Sequence, residues 1–280
     1  MIKLSTFLIL ISLALGSLVV ILKPSYISQS SPAQRTFKEP DDGLDEFVGK
    51  VKSITVETEE HEFTTHFMDF GNRYKRKLFQ TTQFDRDGKR VEKFHYRIDG
   101  VALPKTTYSY DNNGVLLKEN HYSAVSGEPY FEILYVYDSQ GRLKEKIDKN
   151  IEDNKVLSRE RYSHDLKRNY TELVEYNSDN VVRGKVRFIW NNQGKAIEVF
   201  SFSQKGEMLG KGTFTYGEKD LVAEMIFSLS DGSPEKKEKY TYDFDRQGNW
   251  VKKILYHWVT EEEKSFYKLM NITYRTIVYY

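Results

Sequence analysis

Histidine is the residue of this chain whose type and spacing come closest to a catalytic or metal-binding pattern. His61 and His66 lie five positions apart, whereas the zinc-binding helix motif needs four, and on a strand they would point to opposite faces. His95 and His121 occupy the same position of a sequence repeat and could lie near each other. Two histidines without a third ligand favour packing over a metal centre.

Two acidic turns resemble fragments of a calcium-binding loop. Asp85–Gly88 and Asp111–Gly114 begin with suitable oxygen ligands, but they lack the further ligands and the terminal glutamate, so turn formation explains them better. The sequence has no glycine-rich phosphate loop, nucleophile elbow or paired-carboxylate signature. We therefore predict a protein that is not an enzyme and that has no metal and no small-molecule cofactor.

Composition excludes several classes of protein. The 280 residues include 42 Lys and Arg against 41 Asp and Glu, with a net charge of +1, so nothing attracts nucleic acid globally. The absence of cysteine excludes disulfides, thiolate zinc sites and a cysteine nucleophile. With 30% charged residues and 40 aromatic residues, the chain is too polar for a multi-span membrane protein and too aromatic for disorder.

The N-terminal segment predicts an extracytoplasmic location. Residues 4–22 are apolar apart from Ser, Thr and Gly and lie between Lys3 and Lys23; as a helix they reach about 28 Å, close to the thickness of the hydrocarbon core. This run favours a single uncleaved signal anchor, and a signal peptide cleaved near Ala14–Gly16 is the alternative. The remainder would be membrane-anchored by residues 4–22, or secreted or periplasmic after cleavage. We assign residues 1–23 to this segment, 24–45 to a flexible linker rich in Ser and Pro, and 46–280 to one β domain.

Internal repetition is the strongest pattern in the chain. An aromatic residue, then Asp or Asn, and then Gly three positions later recur in five copies, and two degenerate copies fill the gaps. The seven copies begin at Phe84, Tyr110, Tyr137, His164, Trp190, Tyr216 and Phe244 and are 26 to 28 residues apart.

Each copy is expected to turn the chain. Asp or Asn can accept a hydrogen bond from the backbone two residues on, and Gly supplies a positive φ. A second set of turn sequences, such as Ser126-Gly127 and Asp231-Gly232, lies midway between the copies. The sequence therefore predicts an all-β fold: a long antiparallel meander of roughly 14–17 strands, built from double-strand repeats of about 27 residues and curled or barrel-like, plus an N-terminal hydrophobic helix.

The ends of the β domain lack the repeat. Residues 47–77 predict two or three further strands, among them Val51–Val56 and Glu62–Phe70. Residues 261–270 predict a helix before a final strand, Ile272–Tyr280.

Period-two alternation gives the sheet one aromatic face. The residue that enters the turn is aromatic in six of seven copies, and so is the residue two positions before it. The candidate ligand-binding residues from these rows are Tyr108, Tyr110, Tyr135, Tyr137, Trp190 and Tyr242. A second row, four positions after the Gly position, is always charged and is either solvated or lines a wet interior. Its members are Glu92, Lys118, Glu145, Glu172, Glu198, Glu224 and Lys252.

Three segments, Tyr108–Gly114, Tyr135–Leu143 and Phe244–Trp250, resemble the YD-repeat or RHS-repeat family. The resemblance covers about residues 80–258. It implies a secreted or surface β-strand scaffold, in bacteria often a shell or wall-associated protein and sometimes linked with carbohydrate binding. Large family members enclose a C-terminal toxin with dozens of repeats; this chain has seven copies, so we expect no toxin cargo.

The leading hypothesis is a non-enzymatic extracytoplasmic scaffold or binding module of the YD-repeat type, with a cell-envelope glycan or protein as its partner. If the aromatic residues line an open groove, sugar stacking follows; if they fill a core, binding moves to the ends of the strands. The alternative is a carrier of a lipid-like ligand inside a curled sheet, which requires a contiguous apolar cavity.

Overall fold

The computed structural model of the protein describes residues 47–61, 76–97 and 99–280. In this part of the chain sixteen antiparallel strands account for nearly all regular structure, and the only helix is a 3₁₀ turn, Glu218–Asp220. The strands are β1 Val51–Glu60, β2 Lys77–Phe84, β3 Arg90–His95, β4 Thr106–Tyr110, β5 Leu116–Tyr122, β6 Pro129–Tyr137, β7 Leu143–Asn150, β8 Val156–Asp165, β9 Tyr170–Asn177, β10 Val182–Trp190, β11 Ala196–Ser203, β12 Met208–Tyr216, β13 Val222–Leu229, β14 Pro234–Phe244, β15 Trp250–Glu261 and β16 Lys264–Tyr279.

The hydrogen-bonded strand order confirms the all-β meander. Each strand neighbours its successor in the sequence, and β1 also pairs with β16, so that the order is that of a closed barrel. β1 confirms the first strand predicted before the repeats. The predicted strand Glu62–Phe70 and the predicted N-terminal helix lie outside the described residues.

The chain divides into two compact units. The first unit contains Ile133–Glu235, and the second unit contains Phe47–Glu132 together with Lys236–Tyr280. The first unit has an apolar core on the aromatic face of β10–β13, where Phe188, Val199 and Met225 are buried. In the second unit Ile54 and Phe84 are buried beside polar residues such as Thr82.

Hydrogen bonds at the turns confirm the chemistry that the repeat predicts. The Oδ1 atom of Asp85 accepts hydrogen bonds from the backbone of Asp87 and Lys89, both at 2.9 Å. Gly88 closes this turn with a φ of +81°. In the degenerate copies other residues take the left-handed conformation; in one of them Asn169 has a φ of +53°.

The predicted helix over residues 261–270 is wrong. β15 and β16 pair as far as Glu261 and Lys264, with one register shift between Leu255 and Tyr256, and Glu262 and Glu263 form the turn between them with φ of +49° and +62°. The Glu, Lys, Leu and Met of this segment favour a helix, but cross-strand pairing with β15 outweighs that preference. Trp258 packs edge-on against Tyr267, with ring centroids 5.0 Å apart.

Six members of the charged row form ion pairs with residues of the neighbouring strand or directly beside it, on the face opposite the aromatic rows. Lys118 lies opposite Ser109, whereas the adjacent Tyr108 points to the other face. The pairs are Glu92–Lys105, Lys118–Glu132, Glu145–Arg159, Glu172–Lys185, Glu198–Lys211 and Lys252–Asp243. In the pairs of Lys118 and Lys252 the signs are exchanged relative to the other four, and the charged groups still lie 3.5 and 3.7 Å apart. The row is therefore a half-exposed ladder of ion pairs.

Candidate functional site

The second unit holds a pocket of about 360 Å³ where β3 and β5 end and β4 and β6 begin. We call it the histidine pocket. It is lined by Lys93, His95, Leu103, Pro104, Thr106, Tyr108, Glu119, His121, Tyr122 and Tyr130.

Alternate positions of three neighbouring strands build the pocket on the aromatic face. Lys93 of β3 lies opposite Thr106 of β4, and Thr106 lies opposite His121 of β5. Tyr108 lies opposite Glu119. Because side chains two positions apart on a strand share a face, the repeat register itself gathers these residues.

An interruption of the sheet gives the pocket its apolar wall. The β3–β4 ladder has two paired positions, and beyond it a single bridge joins Tyr96 to Ala102. Pro104 has no backbone N–H and cannot continue the ladder. The backbone N–H of Leu103 donates a hydrogen bond of 2.7 Å to the carbonyl of His95, which holds the loop against the end of β3.

His121 is the best-positioned polar group of the pocket. Its Nδ1 lies 3.2 Å from the hydroxyl of Thr106, and its Nε2 lies 3.7 Å from a carboxylate oxygen of Glu119. The imidazole ring also packs 5.2 Å from the ring of Phe131. The contacts with Thr106 and Phe131 fix the orientation of the ring.

His95 lines the same pocket, which agrees with the expectation that its shared repeat position with His121 would bring the two together. Its ring lies edge-on to Phe79, with centroids 5.8 Å apart. On the neighbouring strand it faces Gln80, which is buried.

Three tyrosines give the pocket aromatic surface. The guanidinium of Arg90 lies 4.5 Å from the ring centroid of Tyr108 and covers one of its faces. The Nζ atom of Lys105 lies 5.2 Å from the ring centroid of Tyr122. Tyr130 also lines the pocket and is 54% exposed.

The first unit shows that the repeat does not require an imidazole at this position. The residues that correspond to His95 and His121 are Asp148, Glu175 and Ser201 in three later copies. Asp148 accepts a hydrogen bond of 2.5 Å from Ser158. Burial, together with the nearby charge of Glu160, raises the pKa of Glu175. The last two copies have Phe227 and Leu255 at this position, so the same framework accepts imidazole, acidic, hydroxyl and apolar side chains there.

Of the six tyrosine and tryptophan residues that the sequence nominated for ligand binding, Tyr108 lines the histidine pocket. Tyr135 is buried. The hydroxyl of Tyr110 donates to the carbonyl of Arg90 at 3.1 Å, and Nε1 of Trp190 donates to Thr171 at 3.1 Å.

The remaining two nominated residues are Tyr137 and Tyr242, and both are half-buried. Tyr242 packs between Phe244 and Trp250, with ring centroids 6.4 and 6.1 Å away. The structure thus gathers Tyr108 with histidines and not with the other nominated residues, whose role in ligand binding stays a prediction.

Sequence reasoning missed Lys93, Glu119 and Tyr130 as parts of a site. The position that Lys93 and Glu119 share in the repeat is also charged in two other copies, Lys146 and Lys253, and is apolar in three, Leu173, Val199 and Met225. The sequence alone therefore did not single out these two residues.

A second polar cluster of the second unit surrounds Glu238, which is 3% exposed. Its carboxylate contacts Nζ of Lys236 at 2.5 Å and Nε2 of His257 at 3.0 Å, and it accepts a hydrogen bond from Tyr240. Burial alone would raise the pKa of Glu238, but these contacts lower it to about 2. Burial and the charge of Arg275 lower the pKa of nearby Lys253 to about 8.

Among the described residues no group of three or more His, Asp or Glu side chains is arranged to hold a metal ion. His61 contacts Glu59 at 2.7 Å, and His66 lies outside the described residues. No helix in residues 47–61, 76–97 and 99–280 is long and apolar enough to cross a membrane. The predicted anchor, residues 4–22, is not among these residues.

No protein-family model and no curated protein matches the sequence. A solved structure of a porin-like protein from Bacteroides uniformis is similar, with a TM-score of 0.56 and 10% identity over 82% of this chain and 99% of that chain. A porin-like protein from Bacteroides vulgatus has a TM-score of 0.39 and 12% identity, over 82% of this chain and 98% of that chain. A Tc holotoxin pore from Photorhabdus luminescens has a TM-score of 0.20 and 16% identity, over 79% of this chain and 12% of that chain. The first of these likenesses is one of fold alone.

Proposed function

We propose that this protein is a non-enzymatic, extracytoplasmic binding module on a YD-repeat-like scaffold, and that it binds a cell-envelope saccharide in the histidine pocket. One observation carries the proposal. Much of the aromatic face is packed, with Tyr135, Phe188 and Phe214 all buried, whereas at the histidine pocket tyrosine rings border open space. Binding is therefore assigned to the ends of the strands and not to a groove along the aromatic rows.

The chemistry of the pocket suits a sugar. Tyr108, Tyr122 and Tyr130 offer ring faces on which the C–H side of a pyranose can stack. Thr106 and Glu119 offer hydrogen-bonding groups for sugar hydroxyls. The volume of about 360 Å³ falls within the range of about 300–1,000 Å³ that is typical of small-molecule sites.

A hydrophobic carrier is less well supported. An acyl chain in this pocket would place Lys93 and Glu119 against an apolar ligand instead of water, and such desolvation of charged groups opposes binding.

Two observations support an extracytoplasmic location. The apolar run of residues 4–22 has the length of a membrane anchor or signal, and the fold is shared with a bacterial protein described as porin-like. The YD-like turns are consistent with a surface scaffold, as the family resemblance implies. We propose that the anchor or signal delivers the β domain to the cell envelope.

The test is calorimetric titration of the full chain, in a mild detergent, with a panel of soluble cell-envelope oligosaccharides. Tyr130→Ala should weaken the binding of the best saccharide about tenfold, because it removes a stacking surface. Folding should be preserved, since the side chain is 54% exposed. Phe266→Ala is the matched control, because Phe266 is 41% exposed and belongs to β16, away from the pocket-lining residues. Binding of no saccharide, or equal affinity of the two variants, would contradict the proposal.

A further inference from the structure

We propose that the face of β8–β12 opposite the aromatic rows binds a linear acidic polysaccharide. The surface consists of basic side chains on alternate strands, and we call it the cationic face. Its members are Arg159, Arg161, Lys185, Arg187 and Lys211. It belongs to the first unit and shares no residue with the histidine pocket. The proposal therefore goes beyond the proposed function, and either can fail without the other.

The cationic face has an excess of positive charge, because its five basic side chains share three carboxylates. Two of the carboxylates each contact two basic groups, and the third contacts one. The contacts are Glu145 with Arg159 and Arg161, Glu172 with Lys185 and Arg187, and Glu198 with Lys211. Glu160 and Glu175 occupy alternate positions of β8 and β9 and point to the aromatic face. Two positive charges of the cluster are thus left for a partner.

The basic groups lie nearer to solvent than the carboxylates that hold them. The side chains of Arg161 and Arg187 are 51% and 36% exposed, whereas those of Glu145 and Glu172 are each 19% exposed. Arg187 donates to Glu172 through Nε and Nη2, at 3.1 and 2.7 Å. A guanidinium has five N–H groups, so donors remain for an anion that approaches from solvent.

Aromatic rings hold these cations in position. The guanidinium of Arg161 lies 4.9 Å from the ring centroid of Tyr176. Nζ of Lys185 and the guanidinium of Arg187 lie 4.8 and 5.5 Å from the ring centroid of Phe202. A cation that already packs on a ring loses less side-chain freedom when an anion binds, and this favours affinity.

The register of the strands sets the spacing of the cations. Arg161 and Lys185 face the same residue of β9 from its two sides. Arg187 and Lys211 do the same on β11. Because neighbouring strands lie about 4.8 Å apart, the members of each pair are about 10 Å apart, and the path from β8 to β12 is about 19 Å long. An extended chain that lies across the strands can therefore meet a cation at regular intervals.

These features favour an acidic polysaccharide over other anionic partners. An excess of two charges is small for nucleic acid, whose binders carry a concentrated basic surface. Binding to a membrane surface draws on buried apolar area as well as on charge, whereas Tyr176, Phe200 and Phe202 are half-buried and have cations over their rings. A sugar chain with spaced carboxylates or sulfates offers charge to the cations and hydroxyl groups to their remaining N–H donors.

The experiment is calorimetric titration of the full chain, in a mild detergent, with oligogalacturonate and with dextran sulfate. Dextran is the neutral comparison. At least one acidic polymer should bind and dextran should not, and an increase in salt from about 50 to about 200 mM should weaken binding about tenfold or more. A single-stranded oligonucleotide of similar charge should bind more weakly than that polymer.

Variants separate the cationic face from general attraction by charge. Arg161→Gln combined with Arg187→Gln should weaken polymer binding about tenfold and preserve the fold, because Glu145 and Glu172 each keep a second basic partner. If the double variant does not fold, Arg161→Gln alone should weaken binding about threefold. The control is Lys118→Gln combined with Lys252→Gln, which changes the net charge equally in the ion-pair ladder of the second unit. The control should bind as the wild type does.

Several outcomes would overturn the proposal. They are binding of neither acidic polymer, an equal loss of affinity in the control variant, and tighter binding of the oligonucleotide. Tyr130→Ala should leave polymer binding unchanged, because Tyr130 lines the histidine pocket. Loss of polymer binding in this variant would place the polymer in the pocket, which would overturn the inference and leave saccharide binding there intact. Polymer binding at the cationic face without any saccharide in the pocket would contradict the proposed function alone.

Discussion

Replacing Glu238 by Gln should destabilise the protein in a way that depends on pH. Glu238 is 3% exposed and accepts contacts from Lys236, His257 and Tyr240. Gln has nearly the same shape but no charge. The variant therefore removes the electrostatic stabilisation of the cluster while disturbing its packing little.

The lowered pKa sets the magnitude. In the fold the pKa of Glu238 is about 2, against an ordinary value of 4.5, and at about 1.4 kcal/mol for each tenfold change in proton affinity the difference corresponds to about 3 kcal/mol. Because the folded-state pKa is the lower one, this stabilisation is fully present above pH 4.5. It is lost as the pH falls through about 2. The cost of Glu238→Gln should thus be about 3 kcal/mol at neutral pH and should shrink towards zero in acid.

Urea unfolding at a series of pH values, followed by tryptophan fluorescence, checks this prediction. Glu235→Gln is the matched control, because Glu235 lies three positions away on β14 and is exposed. The control should follow the wild type at every pH. A loss of stability in Glu238→Gln that is the same at pH 7 and in acid would refute the electrostatic reasoning and indicate a packing defect instead.

Three further predictions concern other parts of the sheet. Lys118→Glu should cost about 0.5–1 kcal/mol in unfolding free energy, and adding Glu132→Lys should recover most of it, as a double-mutant cycle would show; no recovery would mean that the pair contributes nothing. Gly88→Ala should cost about 1–2 kcal/mol of thermal stability because the φ of +81° is strained for alanine, whereas Gly88→Asn should cost less; equal costs would point to a steric cause. Lys253 should lose its proton near pH 8, which the chemical shift of its ε-carbon would report, and a midpoint near 10.5 would contradict the effect of its surroundings.

The turn chemistry made most of the fold predictable from the sequence. An Asp that caps its own turn and a Gly with positive φ are local requirements, so their spacing fixes where strands begin and end, as Asp85 and Gly88 show. The same local reasoning gave the wrong secondary structure for residues 261–270. Their helix preference is local, whereas the pairing of Trp258 with Tyr267 across the β15–β16 hairpin is a tertiary effect that composition does not reveal.

The site was less predictable because the aromatic rows have two uses that look alike in sequence. Tyr108 and Tyr135 occupy the same repeat position, yet Tyr135 is buried and Tyr108 lines a pocket. The difference comes from the short β3–β4 ladder and from Pro104, which open the sheet beside Tyr108. The repeat shows which residue types its copies share, whereas the burial of each side chain depends on the strands and loops that pack beside it.

Departures from the repeat are therefore the better guide to function in this protein. The shared turns and the ion-pair ladder stabilise strand pairing in both units, and even the exchanged signs of Lys118 and Glu132 keep the pairing complementary. The position of His95 and His121 holds an imidazole, an acid, a serine or an apolar residue in different copies, and it lies in a strand in each of them. The strands form with different side chains at this position, so folding does not require one residue type there. Such a position can therefore carry the side chain that binding requires.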